Sequence, residues 1–100
     1  MIENYELTYF QDRVEKEVKE ACLNFPSPEA LLCALVEEVG EVARACMDES
    51  CRRIYDECVQ VAAMAARLAI ENDPLLTEYR KKKNLLPEEP ITTTWSIQYD

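Results

Sequence analysis

At 100 residues the chain has room for one domain, and so short a chain leaves much of its surface exposed unless it associates. Hydrophobic residues make up 48% and glycine occurs once, a composition that suits packed helices and argues against Gly-rich sandwiches and barrels. A formal charge of −9 without any histidine repels polyanions, so bulk nucleic-acid binding is not expected.

The first predicted helix covers residues 4–23. It sets Leu7, Phe10, Val14, Val18 and Ala21 on one stripe at spacings of three and four, with Asp12/Lys16 and Glu15/Lys19 as i,i+4 pairs on its outer face. The run from Asn24 to Pro28 ends it. Ser27, Pro28 and Glu29 then read as an N-cap, a first-turn proline and a first-turn acid for a second helix over residues 28–48. Ser50 is the expected cap of a third helix, 51–71, and Asp73-Pro74 repeats the start signal for a short fourth helix ending near Asn84. Arg80, Lys81, Lys82 and Lys83 fall in its last turn, where cations suit the negative end of the helix dipole. After Leu85 the prolines Pro87 and Pro90 interrupt helix, and the β-favouring residues that follow have no evident partner strand. The expected fold is therefore all-α: an antiparallel bundle of about four helices over residues 1–86, completed by oligomerisation, with residues 87–100 as a docked or swapped tail.

The five cysteines, Cys22, Cys33, Cys46, Cys51 and Cys58, are odd in number and fall mostly in apolar periodic stretches, where free cysteine acts as a small hydrophobe. With no secretory-type segment visible, a reducing, cytoplasmic setting is the expectation. Cys46, Cys51 and Cys58 lack the paired short spacings of a zinc site. Glu37, Glu38 and Glu41 interrupt the most apolar segment, so no membrane span is expected.

On a wheel of about 100° per residue, apolar side chains fill a wide arc of the second helix, while Arg44, Glu37, Asp48 and Glu41 form its polar strip. Glu38 falls outside that strip, between Ala45 and Leu31, where burying an unpaired charge is expensive. Glu57 is similarly misplaced on the third helix, between Met64 and Leu68. The short 47–50 connection makes the two helices antiparallel neighbours, setting Glu57 level with Glu41 and Gln60 level with Glu38. Three carboxylates and an amide then share one patch, which calls for a counter-charge or proton uptake. An all-oxygen set without histidine favours Mg2+ or Mn2+ over zinc. Bare ExxE spacing is also common on solvated helix faces, so spacing alone leaves that reading open.

At these residues the sequence resembles a known family. Leu35-Val-Glu37-Glu38-Val-Gly40-Glu41-Val resembles the EExGE signature of the MazG-like all-α nucleoside triphosphate pyrophosphatases, and Asp56-Glu57-Cys-Val-Gln60 stands where that superfamily carries a second, ExxD, signature. The resemblance covers residues 28–72. It implies a homodimer or homotetramer that hydrolyses nucleoside triphosphates to monophosphate and pyrophosphate with Mg2+, Mn2+ being possible in its place. Glu38, Glu41, Glu57 and Gln60 would be the metal ligands, with Glu37 and Glu38 steering the attacking water. Lys81, Lys83 and Asn84 resemble the basic end of the family's last helix, which approaches substrate phosphates. Gln60 departs from the usual aspartate and brings no negative charge. The alternative expectation is accordingly a helical nucleotide-binding or assembly module that keeps the fold around a weakened metal site.

Overall fold

The computed structural model describes residues 1–26 and 30–85, and every regular element among them is helical. Helix α1 spans Asn4–Asn24, α2 Leu31–Asp48 and α3 Cys51–Glu71, and a 3-10 turn, Pro74–Leu76, leads into the short α4, Thr77–Lys82. The bounds of α1 and α3 follow from local sequence. The Glu3 amide donates to Glu6 Oε1 at 3.0 Å at the start of α1, and Ser50 Oγ accepts from the Arg53 amide at 3.2 Å at the start of α3.

Helix α2 differs from its expectation. It begins at Leu31 rather than 28, because Ala30 sits in the left-handed region at φ 53°, where a helix cannot pass. Ser27, Pro28 and Glu29 lie outside the described residues. The cap comes instead from a residue 41 positions away: Asp73 Oδ2 accepts from the Leu32 amide at 3.0 Å. Asp73 Oδ1 accepts from the Leu75 amide at 3.0 Å as well, so one buried carboxylate starts both α2 and the Pro74–Leu76 turn. The expected fourth helix is shorter than the sequence suggested. Pro74 and Asp73 tighten its first turn into 3-10 geometry, and Asn84 at φ 58° stops it after Lys82.

Helix α3 is the middle of the structure. Across the Glu49-Ser50 turn, α2 folds back along one side of α3; α1 packs on α3 as well, and α1 and α2 make no close backbone approach. The core is correspondingly small: Leu31 and Ala45 of α2 and Val59 and Ala63 of α3 are the buried hydrophobic residues among those described. Helix α1 buries nothing completely, though Phe10, Val14, Val18 and Ala21 of the expected stripe are half-buried. Phe10 sets its edge on Tyr55 with centroids 5.5 Å apart, and Arg13 lies 5.8 Å over the same ring while pairing with Asp56 at 3.4 Å. The far end of α1 is held by Arg67, whose buried guanidinium donates to the carbonyl oxygen of Phe25 at 2.9 Å and of Ala21 at 3.4 Å, and to Glu71 at 2.7 Å.

Among the described residues, nothing covers the outward side of α2. Cys46, Val39, Leu32, Ala43, Val36 and Met47 follow one another around an arc of about 100°, all exposed, with Val36 at 62% and Met47 at 82%. Gly40 lies at the rim of that arc, and a Cβ built on it would meet nothing within 4 Å. The cysteines are affected too. Cys33, Cys46 and Cys51 are exposed and Cys22 and Cys58 half-buried, so the expected core placement fails for the single chain, because the apolar arc that carries Cys46 faces away from α3. No described helix is long and apolar enough to cross a membrane. The tail expected over 87–100 lies outside the described residues.

Candidate functional site

The wheel position of Glu38 proves decisive, because the arc from Ala45 to Leu31 is the one that α2 turns toward α3. Glu38 is half-buried there, and Glu57 enters from α3 with its side chain 12% exposed. The two carboxyl groups lie close enough across the helix pair for the charge of Glu57 to act on Glu38. Two carboxylates held close together in a partly buried setting disfavour ionisation of both. Burial pushes the Glu38 carboxyl up from the ordinary glutamate range, and the charge and hydrogen bond of Glu57, then the charges of Glu41 and Glu37, push in the same direction. Glu57 thus acts on Glu38, the acid that the expected register set level with Gln60.

The other expected residues fall around this pair. Glu41 lies at the edge of the interface, half-buried and 3.9 Å from Arg44, while Glu37 is exposed. Gln60 and Glu38 line the same cavity, a volume of about 590 Å³ walled by α1 through Ala21 and Asn24, by Phe25 and Pro26, by Leu31 and Ala34 of α2, and by Met64 and Arg67 of α3. Lys81, Lys83 and Asn84 are not brought to it. Lys81 pairs with Glu78 at 3.6 Å, Lys83 lies 5.6 Å over the Tyr79 ring, and α4 makes no close approach to α2 or α3.

Arg53 went unnoticed in the sequence. Its Nη2 donates to Glu57 Oε1 at 2.7 Å and its Nε to Glu49 Oε2 at 3.1 Å, so a guanidinium neutralises the acidic pair from the α3 side. The signal was legible as an i,i+4 Arg–Glu spacing ending on the misplaced acid. At about 100° per residue, Arg53, Glu57, Gln60, Met64, Arg67 and Glu71 form one stripe of α3, with an arginine–glutamate pair at each end and the cavity between.

Among the described residues, no group of three or more Cys, Asp or Glu side chains converges closely enough to hold a metal ion. That is compatible with magnesium, which keeps several waters and is commonly held by one or two carboxylates completed by substrate phosphates. The donor set fits that use: Glu38 supplies carboxylate oxygens and Gln60 a neutral amide oxygen beside the cavity, Glu57 lies close to Glu38, and the sulfur on the wall is the weakly donating thioether of Met64. No protein-family model, curated protein or solved structure matches this chain.

Proposed function

We propose that the chain is a magnesium-dependent nucleoside triphosphate pyrophosphohydrolase, cleaving the α–β anhydride with water to give a nucleoside monophosphate and pyrophosphate. The observation that carries this reading is the Glu38–Glu57 pair, which converges from two helices at the edge of a cavity large enough for a nucleoside. Close carboxylates in a half-apolar setting cost stability even with Arg53 beside Glu57, and such a constellation next to a cavity points to chemistry.

When bound, magnesium supplies neutralisation of phosphate charge and orientation of the triphosphate. The remaining work falls to the chain. Apolar Phe25, Leu31, Ala34 and Met64 offer contact to a base or sugar, and Asn24 and Gln60 offer amide donors and acceptors to its polar edges. Glu38, with its raised proton affinity, is suited to take a proton from the attacking water once it is ionised. Glu38 and Glu57, with Glu41 at the edge of the interface, would hold the divalent ion, and Glu37 adds an outer negative charge that raises the basicity of Glu38.

The uncovered arc of α2 supports a homodimer or homotetramer. A glycine in a helix interior costs about 1 kcal/mol relative to alanine, and within one chain nothing requires it at position 40. Close approach of a second helix would. In this reading Lys81, Lys83 and Asn84 meet the phosphates from a neighbouring subunit.

A second reading, a binding or assembly module without turnover, is favoured by Gln60 and by the neutralising contact of Arg53. One experiment separates them: pyrophosphate release from a panel of canonical and modified nucleoside triphosphates with Mg2+ or with EDTA, on wild type, Glu38→Gln and Glu57→Gln. Magnesium-dependent release that falls at least about a hundredfold in both variants, with helical content unchanged, supports the enzyme. Nucleotide binding without release supports the module.

A further inference from the structure

The acidic pair already has a cation on it. Arg53 extends from the first turn of α3 along the same stripe as Glu57 and Gln60, and its fork spans Glu49 at the end of α2 and Glu57 on α3. The 2.7 Å contact occupies Glu57 Oε1, the oxygen set that a divalent ion would use. Glu57 is the least exposed carboxylate at the site, whereas the Arg53 side chain is about half exposed at 51%. A guanidinium in that position can leave for solvent without losing its hydration, and the carboxylate cannot follow it. Arg52, one residue earlier, points elsewhere: it is 85% exposed and reaches only Asp56, at 3.7 Å.

We infer that Arg53 is the resting counter-ion of the carboxylate pair, which a divalent cation must displace from Glu57 in order to bind. This inference rests on the proposed magnesium site and adds a property to it. A nucleotide-free chain then holds magnesium weakly, since the ion competes with an intramolecular fork that is always present at high effective concentration. A triphosphate reverses the balance, because its phosphates add oxygen ligands and give the released guanidinium an alternative anionic partner. Magnesium therefore enters with the nucleotide rather than ahead of it.

The test is calorimetric titration of Mg2+ into the nucleotide-free full chain, repeated with Mn2+ followed by electron paramagnetic resonance. Arg53→Met should tighten binding about three- to tenfold, in the range expected for removing a half-exposed charge-assisted contact. Arg52→Met removes the same charge one residue away and should change the affinity less than about twofold. Arg53→Lys keeps the charge but loses the fork and should fall between. Should Arg53→Met fold poorly, the lysine variant carries the comparison alone. Equal tightening by Arg52→Met and Arg53→Met would mean general electrostatics and overturn the inference. Unchanged affinity in Arg53→Met alongside weakened affinity in Glu57→Gln would also overturn it, with the metal site left standing. Absence of divalent binding in wild type and every variant would remove the site and the inference together.

Discussion

Replacing Arg67 with methionine tests whether α1 is held to α3 in the way described, since methionine keeps the apolar stem and removes the fork. The wild-type side chain is 3% exposed and makes two short contacts, 2.9 Å to the Phe25 carbonyl and 2.7 Å to Glu71, with longer ones to Ala21 and to the second Glu71 oxygen. Hydrogen bonds involving a charged group contribute about 1.5–3 kcal/mol each, which would suggest about 3–6 kcal/mol for the two short ones. Three effects reduce that figure. Glu71 is 33% exposed and rehydrates, Phe25 is an exposed residue whose carbonyl can find water, and methionine no longer bears the cost of desolvating a guanidinium. The net loss should be about 1.5–3 kcal/mol, or about 6–24 °C in Tm for a chain of this size. Urea denaturation followed by far-UV circular dichroism measures it, and hydrogen exchange at Ala21–Phe25 localises it. A loss below about 0.5 kcal/mol would refute the reasoning, because it would mean that the guanidinium contributes no more than an average surface group. The proposed hydrolysis should decline as well, since α1 and Phe25 wall the cavity beside Glu38.

The raised proton affinity of Glu38 gives stability a direction with pH. A folded-state pKa above the unfolded value means that the native state binds the proton more tightly, so the stabilisation is present below the ordinary glutamate range and lost as pH rises through the Glu38 value. Urea midpoints from about pH 4 to about pH 8 should therefore fall in the metal-free wild type relative to Glu38→Gln, and parallel curves would disprove the pairing. Gly40→Ala addresses the outer arc of α2. In an isolated chain it should add about 0.5–1 kcal/mol, whereas in an oligomer that packs on Gly40 it should weaken association, measured by light scattering against Val39→Glu, which should give a monomer.

Much of this architecture was written locally. The extent of α1 follows from its stripe of Phe10, Val14, Val18 and Ala21, and α3 starts where Ser50 caps it, because a 3.6-residue period and a side-chain oxygen three residues upstream act within a few ångströms of backbone. The oddness of Glu38 was legible for the same reason: helix geometry alone puts it among apolar neighbours and predicts a carboxylate in the interface. What the sequence left undecided were the facts that depend on which atoms meet across elements. The start of α2 is capped by Asp73, a carboxylate delivered from a distant turn. That Glu57 of α3 comes close enough to act on Glu38 of α2 depends on how the two helices pack, which the connecting loop alone does not fix. Arg53 and Arg67 each carry a commonplace i,i+4 pair in the sequence. Only the packing of α2 and α1 against α3 turns one into the counter-charge of a half-buried acidic pair and the other into the clasp on the end of α1, since burial and third partners decide what such a pair is worth.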